Sequence, residues 1–94
     1  MKRTRTSKSW MSEHISDLFV KQAQKDGYRS RAAYKLIEIN EKYNIFKENM
    51  TIVDLGSAPG SWSQVAVKKI GLKGKVIALD LLEMHPIKKV EFIQ

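Results

Sequence analysis

The chain has 94 residues, a formal net charge of +7 and no cysteine. This length suits one small domain, and the lack of cysteine excludes disulfides and thiolate metal sites. The two histidines stand in no metal-ligand spacing. No apolar run approaches the roughly 20 residues of a membrane-spanning helix, and no signal peptide is visible. We therefore expect a cytoplasmic protein without a membrane segment or a metal.

The positive charge is concentrated in the first third of the chain. Residues 1–35 contain nine Lys or Arg and three Asp or Glu, whereas residues 36–94 contain eight and seven. This balance favours a polyanionic partner such as nucleic acid, bound through phosphate contacts and release of counterions. For residues 1–9, a solvated basic tail explains the charge equally well.

A basic, aperiodic stretch predicts a flexible arm over residues 1–9. The segment SDLFVKQAQKDG then predicts a helix with an apolar stripe. Ser16 or Asp17 can cap its start, and Gly27 is a typical C-terminal stop.

A second helix is predicted by YRSRAAYKLIEINEKYNIF, in which apolar residues recur at helical spacing and Ser30 can cap the start. Residues 10–49 together form a predicted basic helical extension. Its cations near the junction of the two helices are Lys21, Lys25, Arg29, Arg31 and Lys35.

Residues 50–94 alternate between strand and helix patterns. TIVDL and KGKVIALDL are short runs rich in β-branched residues, which predict buried strands, and VEFIQ predicts a third strand. SWSQVAVKKIG lies between the first two strands and predicts a helix. This order is typical of an α/β fold with a parallel sheet.

The loop after the first strand has the pattern D-x-G-x-x-x-G, from Asp54 through Gly56 to Gly60. Open α/β sheets bind ligands at this end of their strands. Glycines allow the backbone to approach a ligand closely, and the next helix directs free N–H groups there. The spacing matches neither the dinucleotide fingerprint nor the P-loop. It is typical of the S-adenosylmethionine loop in Rossmann-like methyltransferases.

Two further residues support a cofactor site. Asp80 ends the second strand, where an acid can accept hydrogen bonds from a ribose diol. Trp62 follows Gly60 closely and can contact a cofactor, although an aromatic residue at this place also packs readily on a sheet. The alternative for the acid and glycines is an ordinary tight turn with an incidental carboxylate. Their combined occurrence favours the cofactor site.

Three segments resemble the FtsJ/RrmJ family of RNA 2′-O-ribose methyltransferases: KQAQKDGYRSRAAYKLIEINEKYNIF, TIVDLGSAPGSWSQ and ALDLLEMHPI with VEFIQ. The resemblance runs from about Trp10 to Gln94. It implies a truncated Rossmann-like class I methyltransferase with an N-terminal helical RNA-binding extension. The implied reaction is S-adenosylmethionine-dependent methylation of a ribose 2′-hydroxyl. Bacterial members modify a uridine of large-subunit ribosomal RNA, while eukaryotic relatives that share GYRSRAAYKL act on tRNA or other RNAs.

The resemblance also assigns roles to individual residues. Gly60 and Trp62 correspond to cofactor contacts, and Asp80 corresponds to the acid that holds the ribose. Lys35 matches the first lysine of the family's Lys-Asp-Lys-Glu tetrad, although a solvated helix lysine would explain it without the family match. Arg29 and Arg31 are expected near the RNA path, and the charge pattern of the extension adds Lys21 and Lys25 as candidate RNA contacts.

Relatives continue with a Gly-Asp that binds adenine, a D-x-A-P segment and two more tetrad residues. None of these motifs occurs in this sequence. We therefore expect an incomplete sheet with an exposed edge on TIVDL, an open adenine pocket and negligible methyl transfer by residues 1–94 alone. The alternatives are a non-catalytic basic RNA-binding domain and a decayed product without function.

Overall fold

A computed structural model of the protein describes residues 7–94. It contains three helices and three strands in the predicted order within that range. The elements are α1 (Ser7–Asp26), α2 (Ala32–Tyr43), β1 (Thr51–Leu55), α3 (Ser61–Lys69), β2 (Lys75–Leu79) and β3 (Val90–Ile93). The predicted alternation of strands and helices after residue 50 is confirmed.

The three strands form a parallel sheet in the order β1-β2-β3. Asp54 of β1 lies opposite Ala78 of β2, so the carboxyl ends of these strands meet at one edge of the sheet. Within residues 7–94, β1 pairs with β2 alone. The predicted exposed edge on β1 is therefore present in the described part of the chain.

Helix α3 packs on one face of the sheet, and α2 packs against α3. The core on that face contains Val65, Ala66 and Ile70 of α3 and Val76 of β2. The prediction that β1 is a buried strand was wrong, because its residues alternate between half-buried and exposed and Leu55 is 76% exposed. Alternation arises when only one face of a strand is packed, and no described helix covers the other face of β1.

Helix α1 begins earlier than predicted. Ser16 and Asp17 lie within the helix rather than at its start, because residues 7–15 contain neither Gly nor Pro to break it. Ser7–Ser9, predicted as part of the flexible arm, are helical, and residues 1–6 of that arm lie outside the described residues. Gly27 follows α1 with a φ of +82°, as expected for a C-terminal stop. No helix in the described range combines the length and apolar composition needed to cross a bilayer.

Helix α2 begins later than predicted. Arg31 stands at the cap position without a side-chain capping bond, so the expected Ser30 cap was displaced by one residue. The Ser30 hydroxyl still accepts a bond from the Ala32 N–H at 3.3 Å, and it also lies 2.8 Å from the Ser61 hydroxyl of α3. The Ser30 hydroxyl therefore interacts with α3 as well as with the start of α2, and Ser30 connects the two helices.

Candidate functional site

Two loops meet at the carboxyl end of the sheet: the β1–α3 loop (residues 56–60) and the β2–β3 loop (residues 80–89). The N–H groups of Gly56 and Ser57 both donate to the Leu79 carbonyl, at 2.8 and 3.0 Å. The end of β2 therefore holds the start of the first loop against the second. This is the place at which open α/β sheets bind ligands.

Asp80 connects the two loops through backbone N–H groups. Its Oδ2 accepts from Ala58 N at 2.8 Å, and its Oδ1 accepts from Leu82 N at 2.8 Å. These bonds, first from Leu82 and then from Ala58, lower the pKa of the carboxyl below its usual value of 3.8. The group is ionised at neutral pH, and each oxygen keeps capacity for a further donor. The described residues hold no group of three or more His, Cys, Asp or Glu suited to a metal ion.

Two clefts adjoin at Gly56. One has a volume of about 320 Å³ and runs toward the helices, between Ser30, Asp54 and Trp62. The other has a volume of about 480 Å³ and runs over the ends of β2 and β3. Its lining is mainly apolar apart from Asp80 and Gln94: Leu55, Gly56, Leu79, Asp80, Leu81, Ile93 and Gln94. One carboxylate beside an apolar shelf suits a ligand with a polar part and a flat apolar part.

The two glycines of the motif have different surroundings. Gly56 is exposed, and apart from Gly56 and its two chain neighbours no atom of the described residues lies within 4 Å of the place that a Cβ would occupy. Gly60 is buried, and a Cβ there would lie 2.7 Å from Ile87 Cδ1 and 3.2 Å from Met84 Sδ. Gly56 therefore opens toward the clefts, whereas the space beside Gly60 is filled by protein.

Asp54 and Trp62 both line the first cleft, and each has a protein partner. The Ser63 hydroxyl donates to Asp54 Oδ2 at 2.7 Å, which ties the end of β1 to α3. The Trp62 indole N–H donates to the Ala32 carbonyl at 2.8 Å, while 40% of the side chain stays exposed. The indole is thus fixed in orientation and still accessible from the cleft.

The predicted RNA-binding and tetrad residues do not form one cluster. Lys35 and Arg31 border a groove of about 210 Å³ with Phe19 and Tyr34, separate from the two clefts at Gly56. Both cations are exposed, as are Lys21 and Lys25 on α1. No side-chain hydrogen bond within residues 7–94 engages these four cations, so they are available to a polyanion.

Arg29 differs from the other cations because its side chain is half-buried against both loops. Its guanidinium donates to the carbonyls of Pro59, His85 and Pro86. Sequence reasoning placed Arg29 beside the RNA path and missed these contacts. No local pattern could have indicated them, because the partners lie 30 to 57 positions away.

The family described as FtsJ-like methyltransferase matches residues 28–94, a range that includes both loops of the site. Two curated proteins named ribosomal RNA large subunit methyltransferase E match all 94 residues. The one from Nitrosospira multiformis is 65% identical, and the match covers 46% of its length. The one from Methylobacillus flagellatus is 67% identical, with 45% of its length covered. The chain spans about half the length of the curated relatives that it matches.

A solved structure has the same fold. It is the crystal structure of a Plasmodium falciparum protein described as a ribosomal RNA methyltransferase. The two share 50% sequence identity and superpose with a TM-score of 0.65, covering 71% of this chain and 37% of that one. The small parallel sheet with its helices is therefore a portion of a larger known fold.

Proposed function

Because this chain belongs to the FtsJ-like methyltransferase family, we propose that it carries the cofactor-binding part of an S-adenosylmethionine-dependent RNA 2′-O-ribose methyltransferase. The proposed substrate is a uridine ribose of ribosomal RNA in the large subunit, which would place the activity in the cytoplasm. The names of the relatives support an rRNA substrate. The finer fold assignment, a truncated Rossmann-like class I domain over residues 50–94 with an RNA-binding extension over residues 10–49, is part of the same proposal.

The observation that carries this proposal is the ionised Asp80 beside the open Gly56. One free acceptor site on each Asp80 oxygen suits the two hydroxyls of a ribose diol. The apolar shelf of Leu55, Leu81 and Ile93 suits an adenine ring. The open space over Gly56 accommodates a chain that passes from one cleft to the other. These residues fit S-adenosylmethionine, with Asp54 and Trp62 lining the cleft beyond Gly56.

When bound, S-adenosylmethionine supplies a methyl group on a positively charged sulfur, which is a strong electrophile. A ribose 2′-hydroxyl is a weak nucleophile at neutral pH and needs a base or a cationic environment. We assign Lys35 to that environment, and the exposed Lys21, Lys25 and Arg31 to phosphate contacts that orient the RNA. Lys35 is one member of a four-residue tetrad, and the motifs that carry the other three members do not occur in residues 1–94. We therefore expect negligible methyl transfer by residues 1–94 alone.

Calorimetric titration with S-adenosylmethionine tests the proposal on the 94-residue chain. We expect weak, saturable binding by the wild type and at least tenfold weaker binding by Asp80→Asn, since hydrogen bonds to a charged group contribute about 1.5–3 kcal/mol. Glu83→Gln removes an exposed charge from the same loop and should bind like the wild type. Thermal unfolding of each variant confirms that it is folded.

Two results would contradict the proposal. The first is the absence of saturable binding by the wild type, and the second is equal affinity in Asp80→Asn. Salt-dependent RNA binding without cofactor binding would favour a non-catalytic RNA-binding module, for which the four exposed cations are the relevant observation.

A further inference from the structure

Arg29 joins the two loops of the site through a single side chain. Its Nη1 donates to the Pro59 carbonyl of the β1–α3 loop at 3.0 Å and to the His85 carbonyl of the β2–β3 loop at 2.5 Å. Its Nη2 donates to the Pro86 carbonyl at 2.7 Å. Three carbonyls from two loops therefore converge on one planar cation. A guanidinium can serve them together because its N–H groups are fixed in a fork.

The backbone around Arg29 is also attached to α3. Arg29 N donates to the Gln64 side-chain carbonyl at 2.8 Å, and the Gln64 amide nitrogen donates to the Gly27 carbonyl at 3.0 Å. The hydroxyls of Ser30 and Ser61 lie 2.8 Å apart. These bonds fix the position of the α1–α2 junction relative to α3. The Arg29 backbone is therefore held in place while its guanidinium contacts the loops.

The burial of Gly60 belongs to the same arrangement. A Cβ on Gly60 would lie 3.3 Å from Arg29 Nη1, in addition to its contacts with Ile87 and Met84. The loops and the guanidinium are therefore packed against each other without space for one more carbon atom. Loss of the Arg29 side chain removes the hydrogen bond to the Pro59 carbonyl. Pro59 directly follows Ala58, whose N–H donates to Asp80, so that loss also affects the contact between Ala58 and Asp80.

We propose that Arg29 is a positioning residue, which sets the distance between the β1–α3 and β2–β3 loops and so shapes the cofactor clefts, rather than a phosphate contact of the RNA. Three of its five N–H donors already serve carbonyls, and a phosphate contact by these donors would release both loops. The neighbouring Arg31 is exposed and makes no side-chain hydrogen bond within residues 7–94, so it remains available to a phosphate. The inference refines the proposed function, but its first test needs no cofactor.

The substitution Arg29→Lys separates the two roles, because it keeps the positive charge and removes the fork. Amide hydrogen exchange of the 94-residue chain is the readout. We expect exchange at Ala58, and at Val90 just after the second loop, to be about tenfold faster or more, corresponding to the loss of one charge-assisted bond. Amides of β2 should be unaffected. Arg31→Lys, the matched control, should exchange like the wild type throughout.

RNA binding supplies the opposite test. Removal of one phosphate contact lowers the magnitude of the slope of log K against log salt by about 1. Arg31→Ala should show this reduction, and Arg29→Ala should not. If Arg29→Ala fails to fold, the amide hydrogen exchange of Arg29→Lys alone distinguishes the positioning role from a phosphate contact. Wild-type exchange at Ala58 and Val90 in Arg29→Lys would overturn the inference, as would a lower salt slope in Arg29→Ala.

Cofactor affinity of the same variants distinguishes this inference from the proposed function. Weaker S-adenosylmethionine binding by Arg29→Lys than by Arg31→Lys would support both. If the wild type binds no cofactor, the proposed function fails, and faster loop exchange in Arg29→Lys would still establish the positioning role.

Discussion

The loops after β1 and β2 are held by side chains from distant parts of the sequence, whereas α1 buries only Ala23 of its 20 residues. Arg29 and Asp80 bond loop backbone groups 22 to 57 positions away, and Asp80 also accepts from the nearby Leu82 N–H. Helix α1 leaves Trp10 and Leu18 each 51% exposed. It also carries three Lys against three Asp or Glu, so it is not itself a cationic helix. The comparison indicates that the geometry of the site depends on the loops and their supports, and that α1 adds little to it.

The largest expected effect is the difference in stability between truncating a leucine in the core and truncating a leucine on α1. Leu36 of α2 is 5% exposed in the core, and Leu18 of α1 is 51% exposed. Leu36→Ala should lower the free energy of unfolding by roughly 2–5 kcal/mol. Leu18→Ala should change it by about 0.5 kcal/mol or less. Urea unfolding of both variants measures the difference. Equal losses would mean that α1 is packed as firmly as the core.

The two glycines of the motif give the next effect. Gly60→Ala places a side chain at a φ of +116° and against Ile87, and it should cost about 2–4 kcal/mol from strain and overpacking. Gly56 has a φ of +70° with open space around it, so Gly56→Ala should cost only about 1–2 kcal/mol. We expect Gly56→Ala to weaken S-adenosylmethionine binding even though the protein stays folded. A greater loss of stability in Gly56→Ala than in Gly60→Ala would reverse the assigned roles.

A smaller effect is expected at the indole that links α3 to α2. Trp62→Phe removes the donor to the Ala32 carbonyl and should lower the free energy of unfolding by about 0.5–1.5 kcal/mol. Trp10→Phe on α1 is the matched control and should change it by less than about 0.5 kcal/mol. Thermal unfolding followed by circular dichroism compares the two. A larger effect at Trp10 would show that α1 has more support than its exposure indicates.

The smallest effect concerns the contact between α1 and α2. The Tyr34 hydroxyl donates to Asp26, and this bond, with a second from Gln22, lowers the pKa of Asp26 below 3.8. Desolvation and then the Asp26 bond raise the pKa of Tyr34 to about 12. The Asp26 contribution is present above pH 3.8 and is lost as the pH falls through the lowered value. The Tyr34 contribution is present below pH 10 and is lost as the pH approaches 12.

Tyr34→Phe should therefore be less stable than the wild type at neutral pH, and the difference should shrink in acid. Melting temperatures of both proteins between pH 2 and pH 7 measure it. A difference that stays constant over this range would exclude the Asp26 bond as its cause.

The sequence was sufficient to predict features that depend on local patterns. The strands, the stop at Gly27 and the meeting of Asp54 and Asp80 at one sheet edge follow from periodicity, turn chemistry and parallel topology. The start of α1 was missed because serine is a common N-cap residue, so the pattern predicts the start of the helix at Ser16. Residues 7–15 contain no Gly or Pro, and the helix extends through them to Ser7. The supports of the site were missed for a different reason. Arg29 and its carbonyl partners are far apart in sequence, and any exposed arginine in a basic segment resembles a phosphate ligand.

The direct test of the central claim, that the loops after β1 and β2 form an S-adenosylmethionine site, is a titration of the isotope-labelled 94-residue chain followed by NMR. We predict saturable shifts of the amides of Gly56, Ala58 and Leu82 and of the Trp62 indole, with the amides of α1 unchanged. No saturable shift at the two loops, or shifts confined to α1, would contradict the account.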